Sequence, residues 1–226
     1  MNKINYDFFS EDIKNKLHKY MELVLKENET INLTAIIDEN SFIEKHFYDS
    51  LLPTETINFN NKKIVDIGSG AGFPGIPLAI VYPNSKITLI EPMMKRSLFL
   101  EKTIDELNLK NVKVYCKRAE DIDSNLRETY DIALARAVTS LPILLELCLP
   151  YLKNHGYFVA YKGTKYDEEI KNSKNALSLL NSKVYDIQAR KLPISKEDRF
   201  NIIIVKEKTI DKKFPREFSQ IKSKPL

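Results

Sequence analysis

The chain of 226 residues carries 35 Lys and Arg against 31 Asp and Glu, a net charge of +4, which leaves room for one α/β domain with an extension but not for two large domains. No stretch nears the roughly 18 apolar residues of a membrane span, and the first ten residues set Asp7 among aromatics where a signal peptide has its apolar core. Cys116 and Cys148 stand far apart without metal-ligand spacing, so a reduced, cytoplasmic protein with no metal site is expected.

Ser10 is a suitable N-cap for a helix running to about Asn28, with Ile13, Leu17, Met21 and Val24 on one face. After the polar, β-branched stretch Thr30–Thr34, a second helix is predicted from Asn40 to Leu52, stopping at Pro53. From residue 62 the rhythm changes. Ile64–Ile67 is a short apolar run ending in a glycine loop, the mark of a buried parallel strand. A short helix over Ile76–Val81, a strand over Lys86–Glu91 and a helix over Lys95–Leu107 follow. Strands at Val112–Cys116 and Tyr130–Ala135, a helix at Leu141–Leu152 and a strand at Gly156–Tyr161 continue the alternation. This pattern predicts a doubly wound parallel sheet with right-handed crossovers.

A helix near Tyr166–Leu180 then leads to strands at Lys183–Leu192 and Phe200–Lys206, joined around Lys196-Glu197-Asp198. Strands so close in sequence should pair as an antiparallel hairpin at the sheet edge. The expected architecture is therefore that of the class I methyltransferases: an α/β, Rossmann-like, seven-stranded, mostly parallel sheet with an antiparallel C-terminal edge hairpin, plus N-terminal helices. Residues 1–59 would be a helical extension, 60–208 the core and 209–226 a basic tail, all in one structural domain. Charge follows these divisions, at −5, +5 (over 60–205) and +4 (over 206–226). The basic end suits either a local phosphate-binding face or a solvated tail.

The loop Asp66-Ile67-Gly68-Ser69-Gly70-Ala71-Gly72-Phe73 lies beyond the first core strand, where open α/β sheets bind ligands. Gly68, Gly70 and Gly72 let the backbone turn sharply and approach a ligand closely. Glu91 ends the second strand, 23 residues after Gly68, at a spacing that suits a carboxylate accepting from both ribose hydroxyls of a nucleoside cofactor. The third glycine of the dinucleotide fingerprint would fall at Phe73. Asp66, close to the loop, suits a cationic amino group and sulfonium better than a pyrophosphate. S-adenosylmethionine is the expected cofactor. After the third strand, Glu120 would receive the adenine amine and the Ala119–Glu120 backbone the ring nitrogens.

Asn32-Leu33-Thr34, His46 with Asp49-Ser50-Leu51, the extended motif from Asp66 to Leu78 through Phe73-Pro74-Gly75-Ile76-Pro77, Arg118-Ala119-Glu120, Ala135-Arg136-Ala137 and Tyr161-Lys162-Gly163 together resemble the RsmG (GidB) family of 16S ribosomal RNA guanine-N7 methyltransferases. The resemblance spans essentially the whole chain. It implies S-adenosylmethionine contacts at Gly68, Phe73, Glu91, Ala119, Glu120 and Arg136. Its implied substrate is N7 of a guanine in the 530 loop of 16S rRNA, conventionally position 527, presented in the small ribosomal subunit or its precursor. Two departures stand out. Glu91 is followed by Pro92-Met93-Met94 where the family has a small polar residue, so contacts at Pro92 and Met93 are altered. The C-terminal tail has Ser219 and Ile221 where a glycine and a proline are expected.

Guanine N7 offers a lone pair with no proton to lose, so alignment with the methyl donor supplies most of the catalysis and no general base is needed. Ala135-Arg136-Ala137-Val138 replaces the Asn/Asp-Pro-Pro-aromatic motif of exocyclic-amine methyltransferases. Cys116 and Cys148, the candidates for the nucleophile of C5-pyrimidine methylation, are expected in the core. Arg136 would position cofactor and base, or else pair with a neighbouring acid. His46 and Asp49, three apart on one helical face, are expected to orient the N-terminal helices. Lys162, Lys165, Arg199 and Arg216 are the candidate RNA contacts, with a solvated role for Lys162 the alternative. The chain is expected to act as a monomer, and a splayed single-stranded base is the expected target. The rival readings are a methyltransferase of another substrate class and a non-catalytic assembly factor.

Overall fold

The computed structural model describes residues 9–136 and 138–226. Ala137, in the Ala135-Arg136-Ala137 motif, and the segment that carries Asp7 lie outside the described residues.

Helix α1 spans Glu11–Asn28, and the Ser10 hydroxyl accepts the Ile13 N–H at its start, relieving one of the unpaired N–H groups of a first turn. Leu17, Tyr20, Met21 and Val24 are its buried residues; Tyr20 joins the predicted face. After it, the Asn28 side-chain oxygen accepts the Leu33 and Thr34 N–H groups at 2.7 and 2.9 Å, giving the irregular stretch its shape. The second helical run is longer than predicted. It passes from α2 (Glu39–Phe42, capped by Asp38) through a π-helical segment (Ile43–Tyr48) and α3 (Asp49–Leu51) into a 3₁₀ turn (Leu52–Glu55). Pro53 does not end it, because near the start of a 3₁₀ turn its missing N–H costs no hydrogen bond.

The core elements are β1 (Lys63–Ile67), α4 (Gly75–Val81), β2 (Lys86–Ile90), α5 (Met94–Glu106), β3 (Val112–Tyr115), β4 (Tyr130–Arg136), α6 (Leu141–Cys148), β5 (Leu152–Lys162), α7 (Tyr166–Asn172), α8 (Lys174–Leu179), β6 (Ser182–Lys191) and β7 (Asp198–Lys206). The sheet has seven strands in the order β3-β2-β1-β4-β5-β7-β6. β1 to β5 are parallel, and β7 runs antiparallel to both β5 and β6. The expected hairpin is thus present, with the reversed strand one place in from the edge. β1 has β2 on one side and β4 on the other, so the order reverses there and opens a crevice at the strands' carboxyl ends.

Alternate strand residues feed two apolar layers. Ile64, Leu89, Leu134, Val159 and Ile203 pack with the N-terminal helices, α4 and α5. Val65, Ile67, Ala133, Phe158 and Ile204 pack with α6 and the C-terminal segment. Three predicted boundaries shift for local reasons. α6 stops at Cys148, a 3₁₀ turn over Leu149–Tyr151 takes Pro150, and Leu152 opens β5 rather than ending a helix. The helix expected over Tyr166–Leu180 divides at Ser173. Cys116 falls just past β3 and is exposed, whereas Cys148 is buried; a four-residue strand ends too early to take Cys116 inside.

The segment 209–226 is docked rather than solvated. Phe214 and Ile221 are buried against the α6 layer and α9 spans Phe218–Ser223. Ile221 at the expected proline position fills the core, and Ser219 is exposed. No helix among the described residues is long and apolar enough to cross a membrane.

Candidate active site

The glycine loop leaves β1 held by hydrogen bonds to the end of β2 and within itself. Gly68 N–H donates to Ile90 O at 2.8 Å and Gly72 N–H to Ser69 O at 2.8 Å. Gly68, Gly70 and Gly72 have φ of 70°, 58° and 104°, the left-handed region that side chains other than glycine's rarely adopt. A Cβ on Gly72 would stand 2.6 Å from Ile76 and 2.8 Å from the Tyr20 hydroxyl. Glycine there is required for close packing under the loop as well as for the turn.

Glu91, buried at the end of β2, accepts Gly70 N–H through Oε2 and Met93 N–H through Oε1, both at 2.9 Å. Its carboxylate braces the loop and fixes the chain's exit towards α5. Pro92 and Met93 are exposed beside it. Asp66 is fully buried; Oδ2 accepts Gly75 N–H at 2.9 Å, and Oδ1 has no hydrogen-bond partner. Burial raises its pKa from 3.8 to about 7, against the lowering effect of the Gly75 N–H and Arg136. An unpartnered buried oxygen is costly, and a cationic donor would relieve it.

Phe73 is buried in a group of aromatic rings. Its ring stacks on His46 at 4.2 Å and 8°, meets Tyr20 at 5.2 Å and Phe42 at 5.7 Å, and lies 5.1 Å beneath the Arg136 guanidinium. Tyr20 donates to Ala71 O at 2.7 Å, which ties α1 to the loop. Arg136, at the end of β4, reaches Lys45 O at 3.1 Å, Asp49 Oδ2 at 3.3 Å and His46 Nδ1 at 3.2 Å. Arginine only donates, so His46 Nδ1 accepts. The imidazole proton is therefore on Nε2, which donates to Thr34 Oγ1 at 2.8 Å. Burial, then the Arg136 charge, lower the His46 pKa from 6.5 to about 3. Asp49 also pairs with Arg199 at 3.5 Å. The pairing of Arg136 with an acid therefore exists, and it holds the guanidinium over the Phe73 ring in the cleft wall.

Gly68, Gly70, Phe73, His46, Asp49 and Arg136 line one cleft of about 600 Å³, which runs from the glycine loop to Lys162, Gly163 and Arg199; Asp66, Gly72, Glu91, Pro92 and Met93 stand behind or beside the loop, outside that lining. Ala119 is buried and accepts from Tyr151 OH at 2.8 Å; the Glu120 side chain is held by Arg118. Both stand outside the lining of that cleft. Among the candidate RNA contacts, Lys162 is bonded to Thr139 O and Glu169 Oε2, each at 2.7 Å. Arg199 pairs with Glu197 at 2.9 Å. Lys165 is exposed beside the cleft. Arg216 makes a two-pronged ion pair with fully buried Glu146, at 2.8 and 2.7 Å, which commits it to holding the C-terminal segment rather than to a phosphate.

Lys45, Arg96 and Asn201 line the cleft without having been singled out, as do Ser69 and Tyr161, which stood in the quoted motifs without a site role. Ser69, Tyr161 and Asn201 follow from where the loop and the strand ends fall once the sheet is known, and Arg96 comes from the first turn of α5. Lys45 sits in the π-helical segment, and no local pattern places it there.

A reversed β7 in a sheet of this order, with a glycine loop after β1, is the fold of the S-adenosylmethionine-dependent methyltransferases. Solved structures bear this out. A methyltransferase of Aquifex aeolicus superposes with a TM-score of 0.58 at 18% identity, over 75% of this chain and 95% of that one. M. jannaschii TYW2, solved in complex with AdoMet, gives 0.57 at 21%, over 75% and 76%. The family model rRNA small subunit methyltransferase G matches residues 13–197, and the chain belongs to that family. The Ribosomal RNA small subunit methyltransferase G of Fusobacterium nucleatum is 46% identical over 99% of this chain and 95% of its own length. That of Acetivibrio thermocellus is 43% identical over 93% and 88%.

Proposed function

We propose that the chain transfers a methyl group from S-adenosylmethionine to N7 of a guanine in the 530 loop of 16S rRNA, within the small ribosomal subunit or its precursor. The cofactor, when bound, supplies an electrophilic methyl on a sulfonium. The chain's residues suit it. Gly68, Gly70 and Gly72 leave the approach open, and unpartnered Asp66 Oδ1 awaits a cationic amino group. Glu91 stands at the strand end where ribose hydroxyls are received, with Phe73 and Arg136 at the cleft wall. Ala119 and Glu120 form the adenine side of the same reading.

One observation supports the choice of N7: the polar groups at the reacting end of the cleft are already engaged. His46 is neutral with both nitrogens occupied, Asp49 is held by two arginines, and Tyr161 OH donates to Ser50 O at 2.8 Å. None is an unpaired base, although Asp49 Oδ1 makes no hydrogen bond beside its arginines, and N7 has no proton to give. Arg136 acts by positioning rather than as a base, with its guanidinium fixed on three sides. The rest of the barrier falls to alignment of the nucleophile with the methyl group.

The enzyme is proposed to work as a cytoplasmic monomer. The test is to incubate the protein with labelled S-adenosylmethionine and unmethylated small subunits, then separate RNA from ribosomal protein. Label in the RNA is expected. Cofactor binding with no label in RNA overturns the reading, and label in protein favours the other substrate class.

A further inference from the structure

Tyr166 and Phe200 form a nearly parallel stack, with ring centroids 4.1 Å apart and an interplanar angle of 21°. Both are half-buried. Phe200 is the ladder partner of Lys162 across β5 and β7, and Tyr166 opens α7 just after Lys165. Lys162, Gly163 and Arg199, the immediate neighbours of the pair, line the outer end of the cleft. A Cβ built on Gly163 meets nothing within 4 Å, so the approach from the cleft is open.

The other ring pairs differ. Tyr20, Phe42, Phe47 and Phe73 are packed in the core, as are Tyr130 and Tyr151, and buried Phe59 meets part-buried Tyr82 tilted at 36° with centroids 6.1 Å apart. Tyr157 and Tyr185 are part-exposed but meet edge to face at 64°, alongside Lys153 and Asp131, away from the cofactor cleft. Tyr166 and Phe200 are thus a half-buried parallel stack at the carboxyl edge of the sheet next to Lys162, outside the lining of the cleft, with Tyr166 also packed on the α6 layer. The charges around them are also telling. Lys162 is paired with Glu169, and Arg199 with Glu197 and Asp49, whereas exposed Lys165 makes no ion pair among the described residues.

We infer that Tyr166 and Phe200 form a stacking platform for a nucleobase adjacent to the target guanine, with Lys165 facing the phosphate that joins them. The inference rests on the proposed RNA methylation. Drawing one base out of a strand and into a cleft unstacks its neighbours. An aromatic face at the rim, with a free cation beside it, restores stacking to the neighbour and holds the strand without reading its sequence. An RNA strand is the occupant that uses both features, since every base has a flat face and every link carries a negative charge.

The test uses the full-length chain with benzoylphenylalanine in place of Phe200, irradiated with unmethylated small subunits. Crosslinks are expected within about two nucleotides of the methylated guanine, the reach of a neighbouring stacked base. In parallel, Phe200→Leu should raise KM for small subunits roughly tenfold, leaving S-adenosylmethionine affinity and kcat at saturating RNA unchanged. Phe200→Trp should restore the wild-type KM. Unaltered S-adenosylmethionine affinity also reports that the leucine variant is folded; if that affinity falls, the crosslinks decide. Methylation of the guanine with crosslinks elsewhere, or none, overturns the platform. Failure of the wild-type chain to methylate small-subunit RNA is the separate outcome that overturns the functional reading itself.

Discussion

Asp66→Asn tests whether the buried, half-partnered carboxyl under the glycine loop is reserved for a cation. Its pKa in the folded chain is about 7, raised from 3.8 chiefly by burial. The native state therefore holds a proton that the unfolded chain has released between those values. The stability this group contributes is fully present below the unfolded pKa and is lost as pH rises towards 7. At about 1.4 kcal/mol per unit, the whole window is worth about 4 kcal/mol, and about 3 kcal/mol of it lies above pH 5. His46 acts in the opposite sense. Its pKa is lowered from 6.5 to about 3, so its contribution is present above 6.5 and lost as pH falls. Wild-type stability alone mixes the two groups, whereas the difference between wild type and Asp66→Asn isolates Asp66. In urea denaturation without cofactor, that difference should shift in favour of the variant by about 3 kcal/mol between pH 5 and pH 8. Adding S-adenosylmethionine at pH 8 should stabilise wild type more than the variant, because the ionised carboxylate then gains a partner. A difference that does not change with pH, or equal stabilisation of both proteins by cofactor, would refute the reasoning.

Gly70→Asp should abolish S-adenosylmethionine binding in calorimetry while the melting temperature changes little. The added Cβ meets nothing closer than Gly68 O at 4.0 Å, and aspartate tolerates the left-handed conformation better than most residues, but its carboxylate enters the cofactor's space beside Glu91. Arg136→Lys should lower kcat/KM on the order of a hundredfold. One ammonium cannot hold Lys45 O, Asp49 and His46 together, and wild-type kinetics in this variant would remove Arg136 from its positioning role. Arg216→Ala should destabilise the fold by about 3 kcal/mol, since it leaves buried Glu146 without its cation. Chemical denaturation measures this; a loss of RNA affinity at unchanged stability would instead make Arg216 a phosphate contact.

The parts of the fold legible in the sequence are those governed by neighbouring residues. The cap at Ser10, the apolar run before Gly68 and the Lys196-Glu197-Asp198 turn each carry their signal within a few positions. The parts that were not legible depend on distant partners. Glu146 and Arg216 lie 70 residues apart, and Asp49 and Arg136 lie 87 apart; nothing local distinguishes a lysine or arginine destined for an ion pair from one facing solvent. The ion pairs of Lys162, Arg199 and Arg216, all three candidate RNA contacts, could not be foreseen for that reason. Tyr20 was missed because the predicted face of α1 was drawn from aliphatic residues, although its ring and hydroxyl reach the loop from one helical turn. Around the cleft, the loop glycines, Asp66 and Glu91 could be read from strand ends. The network around His46 could not, because its geometry depends on a π-helical segment with no sequence signature.

The central claim concerns an atom on a base. Small subunits lacking the modification, treated with the protein and S-adenosylmethionine, should yield 7-methylguanosine on nuclease digestion and mass spectrometry, confined to one guanine of the 530 loop. Methyl transfer to another atom, another base or another region of the RNA would contradict the account.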